Sequence, residues 1–405
     1  MTIYETAPRF DAVGAGIGLS PSALKAMELM DPKFARLYDE IKVGNTSPER
    51  QQQQIEILSV EERFGSSWGW KGGSVGHVRF ERSSARRRAL LEAVKGLIPE
   101  GSVRFNKRVV QVVQHRRRRK VELVFADGEK AEYDMVVGCD GIKGMTRGVV
   151  LGKIWPEEVP AKYCNKYVYR GIAPIDEAKK IIDQNVRWWV GKGTGWAMYH
   201  ISQGREANIV AFIQDHNSWE GEQVAREVTR EEMEVEFASF DTRFKNLLLV
   251  SSVLQSAPPI TMAADCDTYV KPIKWPLFHH PDTPTYVNGR VCLLGNSAHT
   301  SSPSQAAGAG QGLEGALILS KLLGLVTDSS QLDAALKVYD AIRRPRAQGV
   351  VQTSREAGLE YLLVHPEFGG NLQKITVDAN KRLPSFGGMT WGEVSEKQKQ
   401  CSGRL

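Results

Sequence analysis

Two stretches of the sequence join glycine to short polar residues in a way that suits ligand binding through the backbone. The first runs Val137-Gly138-Cys139-Asp140-Gly141-Ile142-Lys143-Gly144-Met145-Thr146-Arg147. The second is Gly289-Arg290-Val291-Cys292-Leu293-Leu294-Gly295-Asn296-Ser297-Ala298-His299, followed by Pro303 and by Gly308-Ala309-Gly310-Gln311-Gly312. In each, an apolar run reads as a buried strand that ends in glycine at the carboxyl edge of a sheet, where α/β folds bind ligands. The glycines after Pro303 let backbone N–H groups come close to a ligand, and the helix they open presents its positive end to negative charge. A third cluster, Gly14-Ala15-Gly16-Ile17-Gly18, fails as a dinucleotide fingerprint: Leu19 stands where the third glycine should fall. That fingerprint also precedes its ribose-binding acid by about 20 residues, whereas here the acid, Glu5, comes first. Spacing alone leaves this loop as a turn that needs positive φ. Glu5 reads as the ribose-binding acid of a nucleotide fold whose first strand and glycine turn are missing.

Other reactive residue types have plainer readings. His299 lacks a His or Cys partner at metal-ligand spacing, so it reads as structural or as a neighbour of the ligand. His279-His280 before Pro281 reads as an exposed turn, and His115-Arg116-Arg117-Arg118-Arg119-Lys120 as a solvated hairpin tip rather than a nucleic-acid patch. Trp188, Trp189 and Trp196 read as core walls. Ser301, Ser302 and Ser304 lack the GxSxG context of a hydrolase nucleophile.

The elements that must carry these residues follow from the hydrophobic pattern. Val103–Phe105, Val109–Val113 and Val121–Phe125 alternate as a meander, with Ala126-Asp127-Gly128 as a turn. Ser84 to Val94 predicts a helix. Between about Tyr163 and Trp275 the texture turns to aromatic and β-branched strands (Tyr167–Ile172, Val186–Val190, Trp196–Ile201, Asn208–Gln214), the mark of an inserted antiparallel sheet. Helices are expected near Arg230–Phe240, Thr242–Val250, Gly310–Leu325 and Leu332–Arg343, with Pro345 kinking or ending the last. Past Pro366 a polar, irregular tail is expected. The 405 residues carry 53 Lys+Arg, 47 Asp+Glu and a net charge of +6, too small a bias to imply nucleic acid. No apolar run reaches the ~18–20 residues of a membrane span, and the start lacks signal-peptide features. The five cysteines have no CxxC spacing, which fits a reduced, cytoplasmic protein without structural zinc.

Taken in order, these motifs resemble those of the single-component FAD-dependent aromatic hydroxylases, and the fungal salicylate-hydroxylase-like branch most of all. The resemblance covers nearly the whole chain, including Tyr169-Arg170-Gly171, Trp275, Leu277, Phe278 and Arg343-Arg344-Pro345-Arg346. It implies an α/β fold: a Rossmann-like, glutathione-reductase-type FAD domain, N-terminally incomplete, with an inserted antiparallel-sheet substrate domain and C-terminal helices. The implied division is 1–152 and 283–365 for the FAD domain, 153–282 for the substrate sheet and 366–405 for the tail. Glu5 is then the adenosine-ribose acid; Gly14, Ala15, Gly16 and Gly18 flank the flavin; Arg87 contacts FAD. Asp140, Gly141 and Arg147 match the motif shared by FAD and NAD(P)H. Asn296, Pro303, Gly308, Ala309 and Gly310 match the positions that bind the ribityl chain, pyrophosphate and isoalloxazine. Arg170 and Tyr199 match the substrate-side arginine and tyrosine.

The implied reaction is hydroxylation of a phenol or aromatic acid, in catabolism or secondary metabolism. NAD(P)H reduces FAD, O₂ adds at flavin C4a, and the hydroperoxide attacks the ring. No metal is needed, and a homodimer is compatible. Three departures stand out: the absent GxGxxG strand and turn, Asn296 in place of aspartate, and Gly144 and Gly315 in place of serine and aspartate. They keep two alternatives in view, an FAD-free degenerate member and a flavin dehydrogenase or reductase of similar fold.

Overall fold

The computed structural model describes residues 1–11, 16–45, 53–59, 73–76, 83–179, 187–219, 225–238, 252–253 and 272–386. The chain opens with β1 (Ile3–Tyr4), β2 (Gly16–Leu19), α1 (Pro21–Met30) and α2 (Pro32–Asp39). Ser20 caps α1 through its hydroxyl with proline at the first helical position, and Asp31 caps α2 in the same way. β3 (Gln53–Ser59), β4 (Gly73–Gly76), β5 (Ser83–Arg86) and α3 (Arg87–Lys95) follow. Residues 84–86, expected to open a helix, instead belong with Ser83 to a strand antiparallel to β2, with Ser83 and Ser84 buried and hydrogen-bonded to Tyr38 and to the His200 carbonyl. The helix begins only at Arg87.

β6 (Val103–Arg104) lies parallel to β1, so it is not part of the meander as expected. The meander is β7 (Val109–His115), β8 (Lys120–Phe125) and β9 (Lys130–Tyr133). The basic run His115–Lys120 makes the β7–β8 turn, as expected, and Gly128 (φ +84°) makes the next. β10 (Val136–Gly138) leads to α4 (Thr146–Leu151).

β11 (Lys162–Pro174), a helical turn α5 (Ile175–Ala178), β12 (Arg187–Gly191), β13 (Thr194–Ile201), β14 (Glu206–Gln214), β15 (Arg226–Glu227), α6 (Arg230–Glu236), β16 (Ser252–Val253) and β17 (Ile273–His279) build the large sheet with its cover. Its order among the described residues is β15-β17-β11-β14-β13-β12-β3-β4, with β16 also on β11. The sheet therefore reaches back to residues 53–76, well before the expected boundary at 153. The expected helix at 242–250 lies outside the described residues. One sheet face packs Tyr167, Tyr169, Trp189 and Trp196 against Phe237; the other packs Val168, Trp188, Val190 and Phe212 toward the C-terminal helices.

The remaining elements are β18 (Val287–Asn288), β19 (Val291–Leu293), α7 (Asn296–His299), α8 (Gly308–Leu323), α9 (Leu332–Glu360) and α10 (Leu372–Phe386). β19 pairs in parallel with β10. Pro345 does not end α9, which runs on for 29 residues. Proline removes one N–H, but buried residues on both sides of it, Tyr339 and Ile342 before, Val350 and Val351 after, hold the helix together. The expected irregular tail contains α10, which packs Ile375 and Ala379 into the sheet core and ties Arg382 to the buried Glu360.

Lys166 on β11 is an anomaly on the inner sheet face. It is 6% exposed and makes no hydrogen bond or ion pair with any described residue. Burial pushes its amine down from 10.5 to about 8. The unfolded chain therefore holds this proton up to a higher pH than the fold does, so stability rises as pH climbs from about 8 toward 10.5. Lys166→Met should raise the unfolding free energy near neutral pH by roughly 2 kcal/mol and remove that alkaline rise, as read by urea denaturation at about pH 7 and pH 9.5. An unchanged difference between the two pH values would refute it.

Candidate active site

The parallel strands β10 and β19 end side by side, and each is followed by a left-handed glycine. Gly141 has φ +82° and Gly295 φ +69°, and no heavy atom lies within 4 Å of where a Cβ would stand on either. Both turns thus present bare backbone to open space, in a conformation that a side chain would strain. Beyond Gly295, the exposed Asn296 begins α7, and Thr300 Oγ1 donates to its carbonyl at 2.6 Å.

The start of α8 is similarly undressed. A single 3₁₀ turn, Pro303–Gln305, leads through Ala306 (φ +52°) to Ala307, which provides no side-chain cap. The first N–H inside the helix to reach a carbonyl four residues back is that of Gln311, to Ala307. The preceding first-turn N–H groups, on Gly308, Ala309 and Gly310, carry the positive end of a 16-residue helix. Gly310 lies against Ala23 and Ser20, its missing Cβ position 3.1 Å from Ala23 Cβ, while Ala309 and Pro303 are exposed. Gly18 comes close to Ala306 on the other side, 3.4 Å from its Cβ to the equivalent point.

β2 joins this face to the large sheet. A Cβ on Gly16 would lie 2.6 Å from Tyr199 Cε2 and 2.7 Å from its hydroxyl, so the tyrosine ring rests directly on the glycine backbone. Arg170, on β11, faces the same region. Its guanidinium sits 5.9 Å from the centre of the Trp275 ring and has no hydrogen bond or ion pair with any described residue. Burial lowers its pKa; Tyr199 works against that shift and Arg87 adds to it. Arg170, Tyr199, Arg87 and Gly16 are thus brought together, although they come from four strands or helices far apart in sequence.

Other expected residues are placed differently. Glu5 follows β1, its Oε1 accepting from the Ala7 N–H at 2.8 Å. Gly14 and Ala15 lie outside the described residues. The Asp140 carboxylate turns back on its own loop, accepting from the Thr146 N–H at 2.9 Å and from the Thr146 hydroxyl. Gly144 permits this, because a Cβ there would collide with that carboxylate.

Arg147, expected beside the cofactor, turns its guanidinium into the protein. It is 1% exposed and donates inward to the Glu158, Asp282 and Ser297 carbonyls and to Thr283 Oγ1. His279 and His280 are buried rather than exposed, because β17 continues to His279 and the His280 N–H bonds the Thr300 carbonyl. Burial, with nearby cations, pushes His279 down to about 4 and His280 to about 3. The Gly16–Tyr199 approach escaped sequence reasoning, since no local pattern signals a contact between residues so far apart. Among the described residues no cluster of His, Cys, Asp and Glu could hold a metal ion, and no helix is long and apolar enough to cross a membrane.

Residues 251–354, which include both β19 and the α8 start, match the FAD binding domain family. A FAD-dependent monooxygenase of Gibberella moniliformis is 36% identical over 393 residues, covering 92% of this chain and 84% of that protein. The chain belongs to the FAD-dependent monooxygenases. The 6-methylsalicylate 1-monooxygenase atA of Aspergillus terreus is 30% identical, with 99% of this chain and 85% of that one covered. A salicylate hydroxylase solved as a substrate complex is 26% identical, with a TM-score of 0.80 over 95% of this chain and 90% of that one.

These residues fit the FAD of such a monooxygenase. The two bare glycine turns and the uncapped α8 terminus are the surface that a phosphate-bearing, hydroxyl-rich cofactor chain requires. Because Tyr199 rests on Gly16, Gly16→Ala should displace the ring. The expected outcome is FAD retained after gel filtration but at least about tenfold lower kcat/KM, roughly 1.4 kcal/mol. Gly349→Ala, at a helical glycine with nothing within 4 Å of its Cβ position, is the control that should leave both unchanged.

Proposed function

We propose that this chain hydroxylates a phenolic or aromatic-acid small molecule, using FAD, NAD(P)H and O₂, in aromatic breakdown or secondary metabolism. The observation that carries the reading is Arg170, a half-buried cation that lies over the face of Trp275, near Tyr199 and Arg87, with no carboxylate paired to it among the described residues. Withdrawing an unpaired charge even partly from water is costly, and an anionic substrate relieves that cost. The relatives that act on salicylates support the same substrate class.

In this reading the guanidinium fork receives the carboxylate or phenolate of the substrate, a charge-assisted contact of about 1.5–3 kcal/mol. Its field also favours the ionised phenol, the electron-rich form of the ring. The Tyr199 hydroxyl donates to oxygen on the substrate ring, and Trp275 with the sheet wall keeps water away. On the other side, Asn296 and the α8 N–H groups hold the ribityl and pyrophosphate oxygens, while Glu5 takes the adenosine ribose. Asn296 does this as a neutral donor and acceptor, which forgoes the charge assistance of aspartate. Arg87 reaches the cofactor from the first turn of α3, and Arg147 acts behind it by bracing the loop that carries Asn296. Bound FAD supplies the electron transfer from NAD(P)H and the activation of O₂.

The test is a screen of aromatic acids and phenols for substrate-dependent NAD(P)H oxidation, with ¹⁸O₂ label followed into product. For the best substrate, Arg170→Met should raise KM by about 10–100-fold, the worth of one charge-assisted contact, with a smaller fall in kcat. Oxidation of NAD(P)H without label in the ring would replace hydroxylation by a reductase activity. An unaltered KM in the variant would remove Arg170 from the substrate.

A further inference from the structure

A cleft of about 650 Å³ lies away from the flavin face, walled by the β7–β8 turn, the β18–β19 turn and the first half of α9. It sits at the amino end of β19, whereas Gly295 and Asn296 follow the carboxyl end of that strand. We propose that this cleft is a second ligand site, for a small phosphate-bearing anion.

The charge balance within the cleft supports this. Its two acids are already matched: Asp333 accepts from Arg290 Nε at 3.2 Å, and Asp340 from Arg344 Nε at 3.1 Å and from the Tyr286 N–H at 2.7 Å. Lys120 is paired with Asp134 at 2.8 Å. That leaves Arg116 and Lys337 on opposite walls with no hydrogen bond or ion pair to any described residue, and Arg119 with only the field of Asp328. His115, on the same wall, has a buried Nε2 without a hydrogen-bond partner. An excess of two to three cations around one concavity is suited to a ligand with at least two negative charges. Arginine supplies a fork and lysine a point charge, the pair that proteins commonly use for phosphate.

The floor is rigid, as a binding site requires. Gln114 clamps the β18–β19 turn, accepting the Arg290 N–H at 3.0 Å and donating to the Asn288 carbonyl at 3.0 Å. Gly289, at φ +58°, has no room for a Cβ against that side chain. Arg290 is further held by the Ser329 carbonyl at 2.7 Å. The volume falls within the ~300–1,000 Å³ typical of small-molecule sites.

The experiment is calorimetric titration of FAD-loaded protein, its flavin phosphate seat filled, with inorganic pyrophosphate and with ADP at low ionic strength. Both probes should bind. Tighter ADP would mark a nucleotide as the source of the phosphate, and equal affinity a free polyphosphate. Arg116→Gln with Lys337→Gln should weaken binding by about tenfold or more. Arg117→Gln with Arg118→Gln removes the same total charge, from the β7–β8 turn but not from the cleft wall, and should change affinity less than about twofold. Flavin absorbance and melting midpoint, unchanged in both variants, guard against misfolding. Absence of binding, or equal weakening in the two variants, would overturn the site.

Discussion

Arg147 brings together three pieces of backbone. Its guanidinium donates to the carbonyls of Glu158, Asp282 and Ser297, and so joins the segment after α4, the turn after β17 and the first residues of α7. No carboxylate forms a salt bridge with it among the described residues. Burial draws its pKa down only to about 10, so the group stays charged near neutral pH, its donors taken up by carbonyls. Taking away such a cation leaves several buried acceptors unsatisfied at once, each worth about 1–3 kcal/mol. The loop that presents Gly295 and Asn296 is therefore positioned by a residue that need never touch the cofactor.

Arg170 is the opposite case. It is also an arginine withdrawn from water, but the fold offers it an aromatic face and a tyrosine in place of a set of acceptors. Arg147 is fully buried and Arg170 half-buried, and they differ in whether their donors are spent; that difference separates a brace from a binding group. Lys166 stands on the same strand face as Arg170, four residues away and thus roughly 13 Å along the strand. Gly358 makes room for its amine, since a Cβ there would be 2.8 Å from Nζ. The inner face of β11 carries two unpaired cations, and an antiparallel strand of otherwise apolar character keeps both fixed.

Much of this was legible from residue order, and the failures have physical causes. Period-two alternation and continuous apolar runs located β10 to β14 and β19, because one or two buried faces leave a local imprint. Ser84–Arg86 carries a helix-like local pattern, yet it is a strand because its partner, β2, lies some 65 residues earlier and no local rule encodes the pairing. Pro345 does not end α9, because the loss of one hydrogen bond is outweighed by burial on both sides. His279 and His280 have the local pattern of an exposed turn before Pro281, yet His279 pairs with Lys162 of β11 and the His280 N–H bonds the Thr300 carbonyl, partners that lie far off or later in the chain. Arg147 matched a motif position, and its direction depended on carbonyls from three distant loops. Residue type and spacing locate the glycine turns after β10 and β19 and the start of α8. They do not say whether a side chain faces the ligand or the protein.

The two halves of the molecule must keep a fixed relation if Tyr199 is to remain on Gly16, and α9 is the element that enforces it. Over 29 residues it is roughly 43 Å long. Its first part packs Leu336, Tyr339 and Ile342 into the core around β19 and α8, where Arg343 binds Glu314 at 2.9 Å and Gln311 Oε1 at 2.8 Å. Its last part packs Ala357 and the following Tyr361 into the sheet core, beside Trp188 at 4.6 Å between ring centres. Ser354 exchanges hydrogen bonds with Ser302, next to Pro303, so the same helix also fixes the turn that leads into α8. Pro345 falls between the two parts, where a missing N–H costs least because each side is anchored separately. The Arg170 wall and the α8 terminus are thus referred to one rigid rod. A closing motion of sheet against flavin face would have to break the core packing at one end of α9 before it could move Tyr199 off Gly16.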